Sequence, residues 1–385
     1  MAYEPSVARD RHYMNLALRL AQRGQGFVEP NPMVGAVLVR NGKVVGRGWH
    51  HKFGLPHAEI EALHKARSAA RGATLYVNLE PCCHTGKTGP CTTAIIAAGI
   101  RRVVVAMTDP NPLVKGKGIL RLRQAGIHVD TGVLEAPALE LNKPFTKWIT
   151  RRQPYVIAKW AQSIDGCIAD RRGKSQWISS VPSRELVHQW RARMDGIIVG
   201  IGTALADDPL LTARPKKSSC RRRLATRIII DSQCRLPLQS QLVQSATTIP
   251  TMVLHRRTRS AAVLFRRNQL LQHGVQCIGV ETHKNGKISL PAALRELGKL
   301  NFTNVLVEGG AELLGALMAE NLIDEGRVFI APKIVGDQYA RHAVEGLALA
   351  SIHKAIPVEW HKVTTCGEDI LVHWYNRAMP IHTKP

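Results

Sequence analysis

The sequence predicts an α/β protein of two domains. Its 385 residues exceed what a single hydrophobic core ordinarily serves, and a 45% hydrophobic share suffices to fill two. Helical patterns over residues 57–70 and 184–194 alternate with short β-rich runs at 34–40, 74–79, 102–107, 227–231 and 304–308. That order is expected of helices laid on largely parallel sheets. Between residues 142 and 154 the pattern loses its apolar period and turns basic. The boundary therefore falls near residue 150, with domains over 1–150 and 151–385.

Composition narrows the function classes. No stretch approaches the roughly 20 apolar residues that cross a bilayer, and the first 11 residues lack the apolar core of a secretory signal. A cytoplasmic protein without membrane contact is expected. Of eight cysteines, Cys82, Cys83 and Cys91 crowd one loop, whereas Cys167, Cys220, Cys234, Cys277 and Cys366 are scattered. This suits a reducing compartment and a metal site better than a disulfide framework, and the scattered five read as small packing residues. Fifty-three Lys and Arg against 29 Asp and Glu give a formal charge of +24. The excess is spread in short pairs rather than gathered with aromatic residues, so no nucleic-acid partner is expected. A phosphorylated substrate and a dinucleotide would profit equally from a positive field. The densest basic run, 216–223, has no apolar period and reads as a solvated loop.

The first half carries a metal motif. Pro56-His57-Ala58-Glu59-Ile60-Glu61 opens an amphipathic helix, which puts His57 and Glu59 in its first turn, facing a pocket at the helix N-terminus. Farther on, the run 74–79 delivers Glu80-Pro81-Cys82-Cys83-His84 and then, past a Gly-containing loop, Cys91. Imidazole and thiolate are donors that zinc prefers. Three protein ligands, His57, Cys82 and Cys91, leave the open position of a catalytic rather than a structural site. His-x-Glu followed by Pro-Cys is the zinc-deaminase signature, in which the carboxylate, here Glu59, shuttles protons without ligating. Zinc lowers the pKa of its water toward about 7, and Glu59 passes that proton to the leaving amine. One zinc per deaminase domain is expected.

The second half opens on a strand-to-turn segment, 155–166, followed by Ser175-Gln176-Trp177-Ile178-Ser179 and by 195–209. It later presents Val305-Leu306-Val307-Glu308-Gly309-Gly310-Ala311-Glu312-Leu313, a buried strand, a double glycine and a helix start. Two glycines let the backbone approach a pyrophosphate while the helix N-terminus offers free N–H groups. The same pattern is also a generic α/β turn. No Gly-x-Gly-x-x-Gly with a suitably placed acidic residue is present, so a Rossmann fold is not supported.

Eight residues separate Cys82 from Cys91, where cytidine deaminases and the tRNA and single-strand editors have Pro-Cys-x-x-Cys. The wide loop Thr85-Gly86-Lys87-Thr88-Gly89-Pro90 resembles instead that of the bifunctional deaminase–reductases of riboflavin biosynthesis. So do Glu29-Pro30-Asn31-Pro32-Met33-Val34-Gly35, Gly48-Trp49-His50-His51 and Asp109-Pro110-Asn111-Pro112-Leu113-Val114, which extend the likeness over residues 8–150. The segments of the second half resemble the reductase of the same family, with gaps, over about 154–376. The resemblance implies a cytidine-deaminase-like three-layer α/β/α domain followed by a dihydrofolate-reductase-like α/β domain.

By that resemblance Asn31, His50, Asp109 and Asn111 hydrogen-bond the pyrimidine and its sugar-like arm, and Lys87 meets the phosphate. Asn-Pro is also an ordinary turn former. Ala161, Trp177, Thr203, Asp207, Ser232 and the helix start Gly310, Ala311, Glu312, Leu313, Leu314, Gly315 and Ala316 are implied to contact NADPH. Lys159, Ser175, Arg191, Leu211, Arg214 and Glu308 are implied to contact a phosphorylated ribosylaminouracil, and guanidinium forks suit its phosphate. Gly89 stands where the family more often has proline, and Cys167 where it usually has Lys or Arg, so an altered reductase stays open. A homodimer or homotetramer joined through the reductase halves is also implied. Two alternatives stay open. One is a nucleic-acid deaminase, prompted by the +24 charge. The other is a deaminase whose second half serves only for dimerisation.

Overall fold

Residues 7–84, 89–214, 223–347 and 350–377 are described by the computed structural model. The chain divides into two units, Met1–Arg151 and Arg152–Pro385, with separate cores. Most of the basic run 216–223, with Cys220, lies outside the described residues; its last member, Arg223, is ion-paired to buried Asp195.

The first unit runs α1 (Val7–Ala21), β1 (Gly35–Arg40), β2 (Lys43–Trp49), α2 (Ala58–Ala66), β3 (Thr74–Leu79), α3 (Cys91–Ala97), β4 (Arg102–Met107), α4 (Lys117–Gln124), β5 (His128–Thr131), α5 (Glu135–Leu141) and α6 (Lys143–Arg151). Its sheet is ordered β2-β1-β3-β4-β5. Only β3, β4 and β5 run parallel; β1 is antiparallel to both neighbours. The reason is the turn Asn41-Gly42, both residues at positive φ, a two-residue connection that joins only antiparallel strands. Strands β3 and β4 are buried at every position, so helices cover both faces. Leu75, Val77, Val103 and Val105 pack with α2, α3 and α4, while Tyr76, Val104 and Ala106 pack with α1 and α5. A three-layer α/β/α arrangement results.

Helix α2 lies directly on β2. A Cβ at Gly46 would meet the Ala62 carbonyl oxygen at 2.3 Å, and one at Gly48 the Ala58 carbonyl oxygen at 2.1 Å, so glycine permits this approach. The segment expected to lose its apolar period is instead helix α6. Phe145 and Trp148 are buried there, and so are Lys143 and Lys147, whose basic heads hide the apolar stripe in the sequence while their stems pack.

The second unit comprises β6 (Tyr155–Gln162), β7 (Cys167–Ala169), α7 (Val181–Arg191), β8 (Gly196–Gly200), α8 (Ile201–Asp207), β9 (Thr226–Ile230), α9 (Gln241–Gln244), β10 (Thr251–Arg256), α10 (Ala261–Gln272), β11 (Gln276–Val280), α11 (Leu290–Lys299), β12 (Asn304–Glu308), α12 (Ala311–Ala319), β13 (Glu325–Ile330), β14 (Arg341–His342), β15 (Val358–Cys366) and β16 (Asp369–Asn376). Its large sheet is ordered β11-β10-β9-β8-β12-β6-β13-β16-β15, parallel from β11 through β13 and antiparallel at the last two strands. Alternation along β12 sends Val305 and Val307 toward α11 and α12, and Leu306 toward Trp190 of α7 and Leu270 of α10. Cys167 and Cys234 are buried and free. Among the described residues no helix is long and apolar enough to cross a membrane.

Candidate active sites

In the first unit the C-terminal end of β3 and the starts of α2 and α3 converge. His57 is the N-cap residue of α2, with extended backbone and no side-chain cap bond, so its ring is free to point elsewhere. Cys82 follows β3 and Cys91 begins α3. The His57 Nδ1 lies 3.3 Å from the Cys91 Sγ and 3.6 Å from the Cys82 Sγ, and the three donor atoms all fall within 4.8 Å of one another. Tetrahedral zinc, with nitrogen near 2.0 Å and sulfur near 2.3 Å, spaces its donors by roughly 3.5 to 3.8 Å, so this set fits the ion. The Cys91 thiol and the His57 ring both hydrogen-bond the Cys82 sulfur and draw its thiol well down, while Cys91 is pushed up. A bound divalent cation favours both sulfurs as thiolates.

Glu59 sits in the first turn of α2, 3% exposed, and its Oε2 has no hydrogen-bond partner among the described residues. Burial, with the Cys82 charge adding, pushes its carboxyl up to about 7. His57, Glu59 and Cys82 line a cavity of about 330 Å³ together with Asn31, His50, Asp109 and Asn111. The Pro56 carbonyl accepts from His50 Nδ1 at 3.1 Å, which fixes the tautomer; His50 Nε2 then accepts from the Asn31 amide at 3.1 Å. Burial lowers the His50 pKa, so the ring is neutral at pH 7. Burial also pushes Asp109 up to about 7, against the pull of the Asn111 N–H that its Oδ1 accepts. Lys87 lies outside the described residues.

Sequence reasoning missed part of this cavity. Phe145, Trp148 and Ile149 of α6 line it, and so do Phe53 and Leu55. The spacing of the α6 residues at three and four was the available signal. Asn78 and Glu80, at the end of β3, were also unassigned. Asn78 accepts from the Gly35 N–H and donates to the Met33 carbonyl, each near 2.8–2.9 Å, which holds the segment that follows Asn31.

In the second unit the implied cofactor positions share one edge. Ala161 lies near the end of β6, Thr203 and Asp207 on α8 after β8, Ser232 after β9, and Gly310 between β12 and α12. These strands are neighbours in the sheet, in the order β9-β8-β12-β6, and their C-terminal ends are where parallel sheets bind ligands. Gly309 and Gly310 both have positive φ, and a Cβ on Gly310 would meet the Thr203 hydroxyl at 3.1 Å. Leu313 and Leu314 turn into the core, and Gly315 packs under the Glu345 backbone, so the helix start offers a ligand its amides rather than these side chains. Trp177 is exposed, with Arg184 over its ring.

Lys159, Arg191 and Glu308 meet beside this edge. Arg191 forks onto Glu308 at 2.5 and 2.8 Å, and the Lys159 ammonium is 3.9 Å from the same carboxylate. Burial alone would raise the Glu308 carboxyl, but Arg191 and Lys159 hold it at about 2. Arg191 also donates to the Thr212 carbonyl at 3.2 Å, and the Arg214 N–H donates to His188 Nδ1 at 3.3 Å, which brings Leu211 to Arg214 alongside. With the Arg191 fork engaged by Glu308, Arg214 is the exposed guanidinium of the pair. Ser175 stands half-buried in the loop after β7, in no contact with this cluster among the described bonds.

Comparison with known proteins divides along the same lines. Residues 7–107 match the cytidine and deoxycytidylate deaminase zinc-binding region, and residues 154–372 match the RibD C-terminal domain. The riboflavin biosynthesis protein RibD of Aquifex aeolicus is 42% identical over 94% of this chain and 97% of its own. The chain belongs to the RibD family. Two solved RibD-type structures agree along nearly the whole chain. Acinetobacter baumannii RibD, form 2, has a TM-score of 0.85 at 35% identity, covering 96% of this chain and 99% of its own. The diaminohydroxyphosphoribosylaminopyrimidine deaminase/5-amino-6-(5-phosphoribosylamino)uracil reductase of Thermotoga maritima has a TM-score of 0.83 at 33% identity, with the same coverage. As a member of the RibD family this is a bifunctional deaminase and reductase of riboflavin biosynthesis, with a zinc-binding deaminase region and a reductase domain that implies a nicotinamide cofactor.

Proposed function

We propose that the first unit, bounded near residue 150, hydrolyses an amino group of 2,5-diamino-6-(5-phosphoribosylamino)pyrimidin-4(3H)-one, and that the second reduces the sugar of the resulting uracil with NADPH. The observation that carries the first half is the convergence of His57, Cys82 and Cys91 within 4.8 Å beside a Glu59 oxygen that has no partner among the described residues. One zinc, when bound by those three residues, supplies the electrophilic centre that makes water reactive at neutral pH. Everything else falls to the chain. Glu59, poised by burial near neutrality, takes a proton from water and delivers it to the departing ammonia. Asn31 and neutral His50 form one hydrogen-bonding wall for the ring, and Asp109 and Asn111 the other. Phe145, Trp148 and Ile149 exclude water from the apolar side. Lys87 is assigned to the substrate phosphate.

In the second unit the nicotinamide cofactor, when bound, brings the reducing chemistry, and the protein positions and polarises. Ala161, Trp177, Thr203, Asp207, Ser232 and the first-turn amides of α12 are assigned to the cofactor. Lys159, Ser175, Glu308, Leu211, Arg214 and, through Glu308, Arg191 are assigned to the substrate. Support comes from the place of Lys159, Ala161, Thr203, Ser232, Glu308 and Gly310 at or just past the C-terminal ends of the neighbouring strands β6, β8, β9 and β12, and from the Arg191–Glu308 fork beside them. The reading includes a cytoplasmic homodimer or homotetramer joined through the reductase halves, acting on a small phosphorylated pyrimidine and not on nucleic acid.

The test is ammonia release from the diaminopyrimidine phosphate by zinc-loaded protein, with NADPH absorbance followed in the same cuvette. Ammonia first and NADPH consumption after it is the expected result. Ammonia with untouched NADPH would remove the reductase assignment.

A further inference from the structure

Glu80 precedes the Pro81-Cys82 turn, and the chemistry above leaves it without a task. Its carboxylate is 3% exposed and accepts four backbone N–H groups. Asp109 at 3.1 Å and Gly116 at 2.9 Å donate to Oε2; Gly118 at 2.9 Å and Ile119 at 3.2 Å donate to Oε1. All four belong to the segment that leaves β4, carries Asp109 and Asn111 into the cavity and enters α4. A carboxylate is an acceptor with two lone pairs on each oxygen, so this one is fully used, and charge-assisted bonds of this kind are the strong ones. The contact is close on the ligand side as well: a Cβ on Gly118 would meet the Pro81 carbonyl oxygen at 2.1 Å. One side chain thus joins the turn that supplies Cys82 to the segment that reads the substrate.

We propose that Glu80 is a positioning residue for deamination, setting Asp109 and Asn111 at a fixed place relative to the metal ligands. The inference rests on the deaminase reading above. Glutamine cannot substitute, because its amide nitrogen would face two N–H donors that the carboxylate now accepts.

The experiment compares full-length, zinc-loaded wild type with Glu80→Gln, measuring ammonia release against substrate concentration, bound zinc, and reductase turnover on the deaminated substrate. Loss of two buried charge-assisted bonds is expected to raise KM at least about tenfold while kcat stays within about threefold, because binding is lost more than chemistry. Zinc content and reductase turnover should match wild type. A purely structural residue would lower the thermal midpoint and leave KM alone, so a wild-type KM in the zinc-replete variant overturns the proposal. If Glu80→Gln does not retain zinc, Glu80→Asp decides instead, since it keeps every lone pair on a shorter stem: a raised KM supports the proposal and an unchanged one overturns it. Wild type that releases no ammonia would remove the deaminase reading, and this inference with it.

Discussion

Glu59 is buried, lacks a partner for one oxygen among the described residues and has a carboxyl pushed up to about 7, while three potential ligands stand beside it. Glu59→Gln preserves shape and ligands and removes the proposed proton carrier. The variant should bind zinc as wild type does and lose ammonia release by about 10²- to 10⁴-fold; metal analysis and the ammonia assay check both halves, and retained deamination would refute the shuttle. His57, Glu59, Cys82 and Cys91 are legible in the sequence because metal chemistry needs particular side chains at short spacings near helix starts. Glu80 and Asn78 are not, because their tasks exist only once distant segments are folded against β3.

At the level of elements, close approach and buried charge decide what can change. Gly48 lets α2 rest on β2, so Gly48→Val would drive a side chain into the Ala58 carbonyl and displace the turn that holds His57 and Glu59. A destabilisation of about 1–3 kcal/mol or more is expected, with weakened zinc retention, measurable by denaturant unfolding and metal titration. Strand β13 carries Glu325, whose buried carboxylate meets Arg327 at 2.6 Å and His373 at 2.9 Å. Burial alone would raise its pKa, but Arg327 and His373 lower it from 4.5 to about 2. A depressed folded value means stability present above the unfolded pKa and lost as pH falls from 4.5 toward 2. The gap in thermal midpoint between wild type and Glu325→Gln should therefore shrink across that window; a gap independent of pH would contradict the assignment. The Asn41-Gly42 hairpin signal was present in the sequence and unread, whereas α6 was obscured by the lysines flanking its apolar stripe.

For the whole molecule, two units with separate cores carry two chemistries, and only one of the two sites has metal-type ligands among the described residues. Chelation of zinc should abolish ammonia release and leave NADPH turnover on the deaminated substrate within about twofold of its starting value, since zinc supplies no part of reductase chemistry. Parallel loss of both activities would argue against that independence. The alternation of helices and strands, with helices on both sheet faces, was readable from apolar runs buried at every position. The reductase cluster was readable only through family resemblance, because Lys159, Arg191 and Glu308 come from three separate elements and share no local pattern.

The end of β3 has one more consequence. Asn78 anchors the segment after Asn31, and Glu80 anchors the one bearing Asp109, and the two anchors lie two residues apart, Asn78 within β3 and Glu80 just past its end. Both segments are thereby held from neighbouring positions of one stretch of backbone, rather than by the length of either loop. Selection can lengthen or recut those loops without moving the points where they are held, whereas a single insertion between Asn78 and Glu80 would shift one held segment against the other.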